Sequence, residues 1–369
     1  MVGFPYLVLR YRHYGSFKLG LLYTSAALAS AAAGLLFSFL ADHWGRARTL
    51  LWVGLLLPIS AAIVTISTQL PALFLACILG SYSATGSLTA GGAGGEVQPI
   101  QSAVIADLTL PANRTAYYSI FTFLAGIFGA VGSLLAKFSG VRGVFLAATI
   151  ISGIGVLFLI PLRTRKIEGN LWRLRSKIVI GKFTVVSALN GFAQGMIAPF
   201  LIPFFVLVYH IPRSRMSIYA FAGGILASVA VLGAPRLDRH LGFVKSIAFT
   251  RGIASVLLIV LPYSGILFIA LAIYIVYPAL RVIALPAQRT ALTDMVSPDE
   301  LGRALGINQV ARLGASSGGI ALTGYMFEIS DIAAPFYLHA AVMAVNICLY
   351  FRFFKSDREG PVVDGDIVE

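Results

Sequence analysis

A chain of 369 residues that is 58% hydrophobic and only 12% charged carries more apolar side chain than a soluble domain can hide, so its solvent is lipid. The formal charge of +13 would suit a nucleic-acid binder, but the basic residues gather in alternate loops between apolar stretches, which argues against that class. The two cysteines, Cys77 and Cys348, lie inside apolar segments and make no disulfide framework.

Apolar stretches of about 20 residues match a bilayer core of roughly 30 Å. They predict spanning helices at about 17–41, 49–67, 71–109, 115–137, 141–162, 178–208, 214–237, 243–262, 264–293, 302–327 and 331–353. The third is too long for one straight helix, and the glycine-rich run at 91–95 is expected to break it. No cleavable signal peptide is recognised. Arg46 and Arg48, the cluster from Arg163 to Lys177, Arg236, Arg239 and Lys245, and Arg352 with Lys355 mark one side of the membrane. The positive-inside rule makes that side cytoplasmic in a plasma-membrane protein. Residues 163–177 are then a basic cytoplasmic linker between helical bundles at 1–162 and 178–354. The polar tail 355–369 is expected to be disordered in the cytoplasm.

The two halves repeat each other. Pro99, Gln101, Asp107 and Pro111 return as Pro286, Gln288, Asp294 and Pro298 at a constant separation of 187 residues. Pro5, Val8, Leu9 and Tyr11 return as Pro203, Val206, Leu207 and Tyr209 at 198, the difference lying in the run 89–95, which has no counterpart. A duplication in a chain of this composition predicts a transporter built from two related bundles. Aligning Pro5 with Pro203 sets Met1 inside the counterpart of the span at 178–208. Eleven complete spans and the end of a first are therefore expected, with roughly 15–20 residues lying upstream of this Met or lost.

The loop Ser38-Phe39-Leu40-Ala41-Asp42-His43-Trp44-Gly45-Arg46-Ala47-Arg48 resembles the signature Gly-x-Leu-Ala-Asp-Arg-x-Gly-Arg-Lys of the major facilitator superfamily. It departs where Ser38, His43 and Ala47 replace Gly, Arg and Lys. A degenerate second copy runs from Gly233 through Asp238 to Gly242. Pro99, Ala103, Ile105 to Asp107, Pro111 and Arg114 resemble the end of that family's fourth helix. The tract Ala291 to Arg303, with Asp294 and Pro298, looks most like its drug–proton antiporter branch. The resemblance implies an all-α integral membrane protein of two pseudo-symmetric six-helix bundles. It also implies a conformational latch at Asp42, Gly45, Arg46, Arg48, Asp107, Arg114, Asp238, Asp294 and Arg303. There Asp42 is expected to meet the positive end of the helix that starts near Gly302.

Two ionisable residues fall near the membrane midplane. Glu96 lies eleven residues before Asp107 and Arg281 thirteen before Asp294, which at 1.5 Å per residue is about 16–20 Å of depth. Intramembrane charges are costly and mark function, so the pair is expected to flank a substrate site, with Glu96 as proton carrier. Burial would raise its pKa and a close arginine would lower it, which leaves its titration open. Asn190 and Gln194, one helical turn apart, share a face. With Gln98, Gln101, Gln288, Tyr277 and Arg312 they are candidates for the same cavity, against the plainer role of interhelical hydrogen bonding.

No zinc spacing, nucleophile elbow or phosphate loop occurs, so neither an enzyme nor an ATP-driven pump is expected, and no cofactor. The expected function is secondary transport of a small molecule by alternating access in a monomer embedded in the bilayer. Proton-coupled efflux of drug-like compounds is the main reading. Import of an organic anion or sugar, or a non-transporting sensor or scaffold, are the alternatives.

Overall fold

Prolines and glycines cut this apolar chain into helices at related places in its two halves. The computed structural model describes residues 3–80, 97–110, 113–138, 140–162, 176–297 and 300–354, with backbone alone at 42, 43, 136, 138 and 141. No strand occurs among them. The first bundle comprises α1 (Gly3–Tyr6, continued by a π-helical turn Leu7–Tyr11), α2 (Ser16–Trp44), α3 (Arg46–Gly54) and α4 (Leu56–Ile66). It is completed by α5 (Leu70–Gly80), α6 (Gln98–Leu108), α7 (Arg114–Phe138) and α8 (Val141–Leu157). The second holds α9 (Lys177–Ile197), α10 (Leu201–Val208), α11 (Arg213–Val231) and α12 (Ala234–Val260). It continues with α13 (Leu267–Val282), α14 (Leu285–Asp294), α15 (Leu301–Glu328) and α16 (Ala334–Phe354). The glycine-rich run 91–95, Glu96, residues 163–175 of the expected linker and the tail 355–369 lie outside the described residues.

Eight of the described helical runs are long and apolar enough to cross a bilayer, and Leu70–Gly80 and Arg142–Leu157 are shorter apolar helices. The expected span 178–208 is interrupted between Ile197 and Leu201, beside Pro199, and 264–293 between Val282 and Leu285. The cause is local: a proline nitrogen has no hydrogen to give the preceding turn. The repeated prolines act alike, for Pro99 and Pro286 both sit in the first turn of a new helix, where that donor is not needed. The duplication also persists in rarer backbone. His13 and His210 share a φ of 51°, and Gly45 and Gly242 turn their loops at φ 95° and 72°, a region that favours glycine.

The bundles meet along two crossings, α2 against α15 and α7 against α11. Small residues permit these: Gly20 faces Gly324, and Gly126 faces Ser228. Large apolar side chains such as Phe128, Ile154, Phe249 and Phe268 point outward. An aqueous surface would not tolerate them in such number, but lipid does.

The interior is layered. One apolar cluster joins Phe4, Leu7 and Leu22 of the first bundle to Phe200, Phe204 and Tyr274 of the second. There the Tyr6 hydroxyl donates to the Ile211 carbonyl at 2.6 Å. A second cluster joins Ala103 and Ala106 of α6 to Phe183, Leu292, Leu301 and Tyr350. Between the two layers α9, α12, α13, α15 and α16 of the second bundle turn polar, and that level holds the site.

Candidate functional site

Five helical runs of the second bundle present polar residues at one depth. On α9, Phe183 and Val186 belong to one apolar layer, Met196 and Ile197 to the other, and Asn190 and Gln194 fall between. Arg251 on α12, Arg281 on α13, Asn308, Gln309 and Arg312 on α15, and His339 on α16 repeat that order. Gln98, Pro99 and Ser102 of α6 close the opposite side. The cavity between them, partly open, has a volume of about 90 Å³, room for several waters or part of a small solute.

Close backbone approach sets two of these walls. A Cβ on Gly191 would overlap the Arg312 carbonyl oxygen, and one on Gly195 would overlap that of Ser316. Glycine at both positions lets α9 and α15 touch, and the residue beside each, Asn190 or Gln194, is carried to the cavity.

Seven of the sequence candidates therefore converge: Gln98, Asn190, Gln194, Tyr277, Arg281, Gln288 and Arg312 all line this cavity. The Tyr277 hydroxyl donates to Gln194 Oε1 at 3.0 Å. Gln101 is half-buried on α6 and is not among the lining residues. Glu96 lies outside the described residues. Sequence reasoning passed over Arg251, Arg289 and His339. Arg251 had a usable signal, being an arginine in the middle of the predicted span 243–262, whereas Arg289 reads as a helix-end residue near Asp294.

The electrostatics are one-sided. Four arginines, at 251, 281, 289 and 312, line the cavity, and no acidic side chain does among the described residues. Arg251 donates from Nη1 to Asn346 Oδ1 at 2.6 Å and from Nη2 to Gln288 Oε1 at 2.9 Å. Its guanidinium also lies 5.1 Å from the centre of the Tyr350 ring. Arg312 donates to Gln309 Oε1 from Nε at 3.1 Å and from Nη2 at 3.0 Å, and from Nη2 to Gln98 Oε1 at 3.0 Å. Amide oxygens accept the hydrogen bonds that both guanidiniums make among the described residues, without cancelling their charge. His339 places Nδ1 2.7 Å from the Ala193 carbonyl, which can only accept, so that nitrogen carries the proton.

The latch candidates cluster at the end where α2 and α6 finish. Arg46 is 2% exposed and pairs with Asp107, with Nη1 also 3.5 Å from the Ala103 carbonyl. It is thus buried inside the first bundle and does not hold a loop at the surface, because Asp107 offers it a partner; Arg48 is exposed. Arg114 Nη1 lies 2.8 Å from Asp294 Oδ1, an ion pair between the bundles, beside a 2.8 Å hydrogen bond from Thr115 to Thr290. Arg303 is buried at the start of α15 and Asp238 half-buried near the start of α12. The end of α2 does meet the start of α15, where Gly306 lies close against Ser38. The side chain of Asp42 falls outside the described residues.

A family model for the Major Facilitator Superfamily matches residues 1–285. The chain belongs to the Major Facilitator Superfamily. The fold agrees over nearly the whole length. The human organic anion transporter MFSD10 superposes with a TM-score of 0.73 at 14% identity, over 90% of this chain and 83% of that one. The xylose transporter XylE from E. coli gives 0.70 at 16%, over 92% and 87%. The nucleoside transporter NupG gives 0.63 at 17%, over 96% and 94%. No curated protein matches the chain. This superfamily member thus has the two-bundle transporter fold, with its cavity in the central position between the bundles.

Proposed function

We propose that this protein is a secondary transporter of a small organic anion, working by alternating access of the two bundles around the arginine-lined cavity. The observation that carries this is that, among the described residues, the hydrogen-bond acceptors of the Arg251 and Arg312 guanidiniums are neutral amides. A charge within a membrane span costs about 2.5–3.5 kcal/mol even on lenient scales. Two such charges with only amide acceptors are best explained by a negative charge that arrives with the substrate. The fold neighbours are transporters of an organic anion, xylose and nucleosides, so fold does not choose among substrates; the cavity's sign favours an anion.

Proton-coupled efflux of drug-like compounds, the reading the sequence favoured, requires a carboxylate in the cavity, and its candidate is Glu96. Under the anion reading Arg114–Asp294 is the pair that opens and closes between bundles, and residues 163–177 are the cytoplasmic linker joining them. The protein works as a monomer in the plasma membrane.

Proteoliposomes test the proposal. Uptake of labelled carboxylates and organophosphates is expected to saturate and to fall at least about tenfold in Arg312→Gln. Transport confined to lipophilic cations, or equal in that variant, would refute it.

A further inference from the structure

One hydrogen bond spans the cavity from bundle to bundle: Arg312 Nη2 to Gln98 Oε1 at 3.0 Å, between residues 214 apart in sequence. The partners differ in how firmly they are held. Gln309 lies on the same helix as Arg312 and grips the Nε/Nη2 side of the guanidinium. Gln98 stands on α6 of the other bundle, and among the described residues its side chain makes this hydrogen bond and no other. With Gln309 holding one hydrogen of Nη2, Gln98 takes the second, on the side facing Nη1. Nη1 has no hydrogen bond among the described residues. The Nη1/Nη2 edge of Arg312 thus meets the cavity with one neutral acceptor where a two-oxygen head group would place two charged ones.

We propose that the Gln98–Arg312 contact is an anion-exchangeable clasp. The carboxylate or phosphate head of the substrate takes the Nη1/Nη2 edge, displaces Gln98, and thereby frees the first bundle from the second at the cavity. Gln309 keeps the guanidinium oriented throughout. Arg251 is no alternative for this role. Its acceptors Gln288 and Asn346 are on its own bundle, and Asn346 is itself anchored by donating to the Val186 carbonyl at 2.6 Å. The inference rests on the anion reading and adds a mechanism: ligand binding and release of the bundles become one event, because both compete for the same hydrogen bond donor. Gln98 is a positioning residue in this scheme and Arg312 the binding one.

The test is a set of equilibrium titrations on the purified full chain in a chloride-free buffer. Benzoate, succinate and phenyl phosphate are the probes and benzamide is the uncharged control. Gln98→Ala removes the competitor, so anion affinity is expected to rise about three- to tenfold while the melting temperature of the ligand-free protein falls. Gln98→Glu supplies a tethered carboxylate, so affinity is expected to drop at least about tenfold while that melting temperature rises. A residue with a merely structural role would not move affinity in opposite directions in the two variants. Gln98→Leu, which keeps the volume, is expected to follow Gln98→Ala and stands in if either variant folds poorly. Unchanged affinity in all three, with the wild type binding the anions, would overturn the clasp and leave the anion reading intact. Failure of the wild type to bind any of the anions would overturn the reading beneath it.

Discussion

Each bundle buries arginine, and Arg46 of the first and Arg251 of the second are treated differently. In the first, Arg46 is 2% exposed and meets the carboxylate of Asp107 at the end of the molecule. In the second, Arg251 is 6% exposed and, among the described residues, its guanidinium meets amides and an aromatic face at the level of the cavity. The first charge is cancelled where it stands and serves the architecture. The second is held in place by neutral groups among the described residues, which is what the proposed anion site requires. Chemistry has therefore diverged across a duplication whose prolines, helix-ending aspartates and left-handed turns are still shared.

The sharpest break between these roles comes from truncating the paired charge. Arg46→Ala leaves Asp107, one-third exposed, without this partner, and a loss of about 1.5–3 kcal/mol of stability is expected. Thermal or chemical unfolding in detergent would show it, with anion affinity of the folded fraction unchanged; a shift in affinity would dissolve the distinction between the two arginines. Next comes the packing that presents the second bundle's polar wall. Gly191→Ala drives a methyl into the Arg312 carbonyl and is expected to cost about 1–3 kcal/mol. Gly132→Ala, where the added carbon meets no neighbouring helix among the described residues, serves as the control and is expected to cost nothing.

Arg251→Gln is expected to cut anion affinity about tenfold, some 1.4 kcal/mol, while altering stability less than Arg46→Ala does. Isothermal titration against the same anions measures it, and unaltered affinity would return Arg251 to a purely structural role. The smallest effect belongs to the pair between bundles. Arg114→Ala removes an ion pair whose members are 17% and 42% exposed, so less than about 1 kcal/mol of stability is expected to be lost. Its consequence should appear in transport rate, and a rate equal to wild type would remove Arg114 from the latch.

Much of this was legible in the residues. Arg281 and Arg312 stood out as charges deep in apolar spans, and Asn190 and Gln194 shared a face by their spacing; all four line the cavity. Arg251 was as visible in principle, yet the repeat drew attention to its own matched positions, and Arg251 belongs to no repeated motif. Gln101 recurs as Gln288, and of the two copies the second lines the cavity. Repetition conserves backbone position, whereas the rotation of a helix about its axis decides which copy of a side chain faces inward.

The sequence by itself determined that the protein is a two-bundle membrane transporter by family, that its prolines interrupt the spans, and where charges enter the apolar layer. These follow from local rules: the cost of moving a polar group into lipid, the missing proline hydrogen, and the reach of one helical turn. The tertiary structure alone decided that Arg46 turns inward to Asp107, that Arg114 reaches Asp294 across the bundles, and that Gln98 closes on Arg312. Each of those contacts joins helices far apart along the chain, and which faces meet is set by how the helices cross and how closely small residues let them approach.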